Sequence, residues 1–286
     1  MENSIEVKEL SITYREFSID KISFTVPKGS IMGFIGQNGA GKTTTLKAIL
    51  NLIKRQSGEI KILGLDNIKD ERKIKEQIGV VFDESYFHDN LTIKDITKMM
   101  KNIYKNWDNN TFAKYINKFK LPQDKIVKDF SRGMKMKLSI AVALSHDPKI
   151  LILDEATSGL DPIVREEILD IFLDFIQDEE HSILISSHIT GDLEKVADYI
   201  TFIDDGKIIF SKNKDELCDD MGIVKCKERE YQTISKGYII RYRKNSFGYE
   251  VLVNNRTKLA ANYPDMIIEK PSIEEIMLFY VRGERR

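Results

Sequence analysis

The chain has 286 residues, enough for one large domain or a large domain with a smaller companion. With 42% apolar and 31% charged residues, 16 Gly and 6 Pro, it has the profile of a packed globular protein, not of a disordered or fibrous one. Its 44 Lys and Arg against 45 Asp and Glu leave a net charge of −1, which argues against a general nucleic-acid binder.

In chain order, residues 10–14 and 22–26 alternate apolar and polar side chains and read as two half-buried strands. A turn at 27–29 leads into 31–35, an apolar run of the kind found in a buried parallel strand. After a glycine-rich segment, Leu46, Ile49, Leu50 and Ile53 recur at helical spacing. Residues 78–82 read as another buried strand. Residues 92–120 read as one Lys-rich helical stretch, with Ile93, Ile96, Met100, Ile103 and Tyr104 along one face. A helix over 133–145, a strand over 150–153 and a helix over 162–177 follow. Then come a strand over 182–186, a helix over 190–197 and a strand over 200–203. Strands alternating with helices imply an α/β fold around a mostly parallel sheet. The pattern changes after about residue 211, so 1–210 and 211–286 read as a main domain and a small α+β appendage. Within the appendage, 237–243 and 247–253 alternate like a hairpin around 244–246. Ser272-Ile273-Glu274-Glu275 opens a final helix with a capping box.

The longest apolar runs, such as residues 150–153, fall far short of the ~20 residues that span a bilayer. Residues 1–6 lack the basic start and apolar stretch of a signal peptide. Cys218 and Cys226 read as reduced thiols. Charge is unevenly spread. Nine Lys face three acidic residues between Lys94 and Lys128, nineteen acidic residues face five basic ones from Asp154 to Asp220, and nine basic residues face three acidic ones from Lys225 to Lys258. These are solvated faces of alternating sign or, for the basic lobes, surfaces turned toward something negative.

Gly36-Gln37-Asn38-Gly39-Ala40-Gly41-Lys42-Thr43 fits G-x-x-x-x-G-K-[ST], with a buried strand before it and a helix after it. Its glycines let backbone N–H groups converge on one anion. Lys42 supplies a cation for the outer phosphates, Thr43 a hydroxyl for Mg²⁺, and the helix its positive end. Asp154 and Glu155 follow the apolar run 150–153, at the strand edge where ligands bind in open α/β sheets. Asp154 suits Mg²⁺, and Glu155 suits a general base for an attacking water.

Phe130-Ser131-Arg132-Gly133-Met134, then Asp154-Glu155-Ala156-Thr157-Ser158-Gly159-Leu160-Asp161-Pro162, then His188, resemble the ATP-binding subunit of a bacterial ABC transporter. The match in order and spacing covers about residues 5–210. The resemblance implies a P-loop ATPase with a mostly parallel core sheet, an antiparallel β subdomain and a helical subdomain at about 84–145. It implies that ATP and Mg²⁺ are bound by Gly36 to Thr44, Asp83 and Asp154, and that Tyr14 stacks on adenine. It also implies a dimer, either of two copies or with a sister ATPase. Ser131, Arg132 and Gly133 of one subunit then lie near the γ-phosphate held by the other. Asp161 lies in the loop linking the two sites, and His188 bonds the γ-phosphate.

Two departures stand out. The family signature is usually Leu-Ser-Gly-Gly-Gln, where this chain has Phe130 to Met134; Ser131 and Gly133 are kept, and Arg132 adds positive charge beside a phosphate. That leaves open a degenerate site, but intact Lys42, Asp154, Glu155 and His188 favour hydrolysis. Where the family normally has Gln, this chain has Asp83, still an oxygen donor for Mg²⁺ but shorter and charged. Altered coupling to the membrane partner is expected.

A chain of this family without a membrane span needs separate membrane subunits, which would place it peripherally on the cytoplasmic face of the membrane. A groove for them is expected at 84–104, with Tyr86, Phe87, Met99, Met100, Tyr104 and Trp107 as contacts, unless these residues pack the subdomain's own core. The tail is similar to those of ATPases serving peptide and antibiotic exporters, including exporters of phenol-soluble-modulin-type toxins. The alternative is a soluble ABC ATPase acting on ribosomes or DNA. The ribosomal type carries two cassettes, against one P-loop here. The DNA-repair type inserts a long coiled coil, against 88 positions between Thr44 and Arg132. No nucleic-acid partner is expected.

Overall fold

The computed structural model describes residues 2–84 and 86–285. Asn3–Thr13 (β1), whose alternation of buried and exposed side chains breaks at Lys8 and Glu9, and Ser18–Pro27 (β2), which alternates from Ile22 onward, pair antiparallel. Ile31–Ile35 (β3), buried at every position, ends in the glycine loop that opens Lys42–Ile49 (α1). Ser57–Ile62 (β4) and Leu65–Asp66 (β5) complete a four-stranded sheet in the order β2-β1-β4-β5. Glu71–Lys75 (α2) then leads to Ile78–Val81 (β6).

Ile93–Ile103 (α3), Asn109–Lys118 (α4) and Arg132–Leu144 (α5) follow. The stretch read as one helix over 92–120 is therefore two. Tyr104 turns extended after α3, and the Asp108 carboxylate accepts from Asn110 N–H and Thr111 Oγ, starting a new helix in place of continuing the old one. Trp107 at the break packs its ring 5.0 Å from Phe112.

Ile150–Asp154 (β7), Pro162–Phe175 (α6), Ser182–Ser187 (β8), Thr190–Val196 (α7), Tyr199–Asp204 (β9) and Lys207–Asn213 (β10) complete the main sheet. Its order is β10-β9-β3-β8-β7-β6. All neighbours run parallel except the edge pair β10 and β9. β10 crosses residue 211, where the sequence pattern changes.

Beyond it lie Lys214–Asp220 (α8), Gly222–Cys226 (β11), Glu228–Thr233 (α9), Ile239–Asn245 (β12) and Gly248–Val253 (β13). Arg256–Asn262 (α10), Ile268–Glu269 (β14) and Ile273–Arg282 (α11) follow. The third sheet is antiparallel, in the order β12-β13-β11-β14. Ser272 and Glu275 form the capping box read from the sequence.

One face of the main sheet packs on the first sheet, with Phe24 and Phe34 stacked 5.1 Å apart. The other face joins α5, α6 and α7 in a core that includes Ile273, Ile276 and Phe279 of α11. The C-terminal helix thus shares the core of the main sheet.

Candidate functional site

Strand register decides which loops meet. β3 pairs β8 with Ile35 opposite Ser187, β7 pairs β8 with Asp154 opposite Ser186, and β6 pairs β7 with Val81 opposite Leu153. The loops carrying Gly36, Asp83, Asp154 and His188 therefore leave one edge of the sheet, at the C-terminal ends of parallel strands.

The loop after β3 needs its glycines. A Cβ on Gly36 would lie 2.4 Å from the Ile203 carbonyl oxygen, and Gly41 takes φ +112°, in the left-handed region. Gly41 also begins α1 without a side-chain cap, and Thr45 Oγ1 donates to its carbonyl at 2.9 Å. Gln37, Asn38, Gly39 and Thr43 are exposed, Ala40 is buried and Thr44 is half-buried. Lys42 folds back over the loop and is 5% exposed. Its Nζ donates to Gly36 O at 2.8 Å and Gln37 O at 3.3 Å, and lies 3.3 Å from Glu155 Oε1.

Asp154 ends β7 and is buried; Ser186 Oγ donates to its Oδ1 at 2.5 Å. Glu155 follows with φ +53°, a strained backbone for a residue with a side chain. Its N–H donates to Ser186 O and Ser186 Oγ, at 3.1 and 3.2 Å, which holds the turn. The turned carboxylate meets Lys42 with one oxygen and His188 with the other. His188 Nδ1 donates to Glu155 Oε2 at 2.6 Å. The result is a carboxylate shared by a cation and an imidazole at the mouth of an anion-binding loop. Such a group can take a proton from water beside a bound phosphate.

The predicted residues fall into two groups and two outliers. The loop residues, Asp154, Glu155 and His188 come together at the strand edge. Ser131, Arg132, Gly133 and Asp161 form a second group at the N-termini of α5 and α6. Ser131 Oγ accepts from Met134 N–H at 3.2 Å, and Asp161 caps α6 through Ile163 and Val164 N–H, both at 3.1 Å. The Arg132 guanidinium lies over Gly159, where an added Cβ would stand 2.7 Å from Nη1. Tyr14, just past β1, is half exposed, and Asp83, just past β6, is exposed.

Sequence reading missed Ser186, which fastens both acidic residues; the pair of serines that follows Ile183-Leu184-Ile185 was its only signal. The donor set fits Mg²⁺ and a polyphosphate. Exposed Thr43 and the Asp154 carboxylate offer hard oxygens, and the glycine loop offers the Lys42 ammonium and the start of α1.

A groove of about 780 Å³ lies between α2 and the end of α3, lined by Leu52, Ile68, Val80, Phe82, Ile103 and Tyr104 among others. Of the six contacts expected from 84–104 and its flank, Met100 is buried, and Phe87, Tyr104 and Trp107 pack against the core. Tyr86 and Met99 are exposed. Tyr104 alone of the six lines the groove.

The family description "ABC transporter" matches residues 19–158. The chain is 36% identical to the bacitracin transport ATP-binding protein BcrA of Bacillus licheniformis, over 73% of this chain and 69% of that one. It is 37% identical to the lantibiotic transport ATP-binding protein SrtF of Streptococcus pyogenes, over 74% and 91%. A solved ATP-binding subunit of an ABC transporter superposes with a TM-score of 0.67 at 25% identity, covering 75% of this chain and 92% of that one. With a nucleotide loop, an acidic strand end and a fold all of this kind, the chain belongs to the ATP-hydrolysing subunits of ABC transporters.

Proposed function

We propose that this chain drives an exporter of peptides or antibiotics, as one of two ATPase subunits seated on membrane subunits at the cytoplasmic face. The observation that carries the chemistry is the Glu155 carboxylate held between Lys42 and His188. Triphosphate entering the Gly36 to Thr44 loop competes for both partners. Lys42 and His188 turn to phosphate oxygens, and Glu155 is left to accept the proton of an attacking water. Tyr14 flanks the adenine. Thr43, Asp83 and Asp154 are the residues that would hold Mg²⁺, which when bound offsets phosphate charge. Ser131, Arg132 and Gly133 of a second subunit, a copy or a sister, close over the γ-phosphate, and Asp161 lies between the two sites.

The groove lined by Leu52, Ile68, Phe82 and Ile103 offers an apolar floor with charged flanks, where Arg72 and Lys105 both pair with Glu76, suited to a membrane subunit's amphipathic helix. Export of a peptide or antibiotic is supported by relatives named for bacitracin and lantibiotic transport. Glu155→Gln tests the reading. It should keep ATP, accumulate a dimer in light scattering, and lose about 10²-fold or more in hydrolysis. Hydrolysis at the parent rate would remove Glu155 as the base.

A further inference from the structure

We infer that Glu194 is a positioning residue for ATP hydrolysis: it ties the helix behind His188 to the C-terminal helix α11. The inference rests on the reading of His188 as a phosphate-side residue.

α7 starts two residues after His188 and is only seven residues long, with no side-chain cap at its N-terminus. So short a helix is marginal by itself and takes its position from its neighbours. Leu193 and Val196 are buried in the main core beside Ile273, Ile276 and Phe279. On the α6 side, Lys195 pairs with Glu166, and Asp192 lies 3.8 Å from Arg165 Nε. Arg165 also donates to Leu160 O at 3.3 Å, in the loop that carries Gly159. On the opposite side, Ile273 N–H, the first of α11, donates to Glu194 Oε1 at 2.7 Å, and Lys214 Nζ donates to the Glu194 carbonyl at 2.9 Å. The carboxylate thus meets the positive end of α11, where a negative charge is favourable.

α11 is itself anchored twice. Tyr280 meets Phe202 and Phe210 of the main sheet, with ring centroids 6.1 and 5.6 Å apart. The Arg243 guanidinium sits 4.2 Å over the Phe279 ring, joining α11 to the third sheet. Between α11 and the nucleotide loop lies a cavity of about 510 Å³, lined by Gln37, His188, Thr190, Glu274, Met277 and Val281. His188 therefore has free space at its flank and a fixed support behind it. Glu194 holds that support, so its loss displaces His188 while leaving the glycine loop and Lys42 as they are.

The test compares Glu194→Ala with Glu194→Gln, whose amide oxygen still accepts from Ile273 N–H. Glu194→Ala should lower kcat roughly tenfold with KM for ATP unchanged, and speed amide exchange at Ile273 about tenfold; Glu194→Gln should restore most of both. In a His188→Ala background, Glu194→Ala should reduce kcat no further, because the two act in series. Equal losses from Ala and Gln, or a full additional loss in the His188→Ala background, overturn the inference. An unimpaired His188→Ala removes the phosphate reading of His188 and the inference with it. An impaired His188→Ala beside a Glu194→Ala with parental kcat overturns the inference alone.

Discussion

Lys42 Nζ stands 3.3 Å from Glu155 Oε1, so the cation of the glycine loop and the carboxylate of the acidic strand end neutralise one another across the site. Both side chains are largely buried, where an unpaired charge is costly. Each needs a replacement partner once the pair opens, and a polyphosphate provides one for Lys42.

That pairing sets the first expectation. Lys42→Ala removes the cation that a phosphate would recruit, and ATP affinity measured by calorimetry should fall at least about tenfold. Unchanged affinity would rule out the loop as the phosphate site.

Ser186 makes a quieter contribution. Its hydroxyl donates to Asp154 Oδ1 and accepts from Glu155 N–H. Groups that orient a metal-binding carboxylate change metal affinity by about 10- to 100-fold when removed. Ser186→Ala should raise the Mg²⁺ concentration for half-maximal ATPase activity by about that factor. A titration curve that overlays the parent's would show that Asp154 needs no such support.

His146 gives a pH dependence away from the site. It is fully buried, its Nε2 lies 3.0 Å from Ile78 O, and its ring stacks on Tyr104 at 3.8 Å. Burial lowers its pKa below the ordinary 6.5. The unfolded chain then takes up this proton at a higher pH than the folded one. The associated stability is present in full above the unfolded pKa and is lost as pH falls from about 6.5 toward the depressed folded value. Thermal midpoints should therefore drop over that acid window. His146→Gln should drop less from pH 7 to pH 5 than the parent, and parallel profiles would exclude His146 as a source of the acid sensitivity.

Legibility in the sequence followed the range over which each signal acts. Gly36 to Thr43 and Asp154–Glu155 were readable because strand, turn and ligand-binding residue lie within ten positions of each other. The meeting of Lys42, Glu155 and His188 was not. It depends on β8 lying between β3 and β7, a consequence of sheet order that no local pattern carries. β1 begins at Asn3, seven residues before the alternating stretch 10–14, because Glu9 at φ +47° shifts the pairing between Val7 and Leu10 and breaks the period. For the apolar residues of 84–104 the sequence left open a partner surface or the subdomain's own core; Met100 turns inward on α3, while Leu52 and Ile68, from segments far apart in sequence from α3, line the groove beside it. In the tail, the Ser272 capping box was legible, yet nothing local revealed that Phe279 completes a core begun at β3.

That completion has a consequence for how the chain is made. Phe202, Phe210 and Leu193 are synthesised well before Phe279 and Tyr280, the side chains that cover them. Until α11 leaves the ribosome, one flank of the nucleotide-binding sheet presents bare aromatic surface to its surroundings, where it is open to wrong associations. The same holds for a chain cut back to the cassette alone. Trimming the tail at residue 211 would remove the last piece of the core and leave a sticky, incomplete ATPase in place of a minimal one.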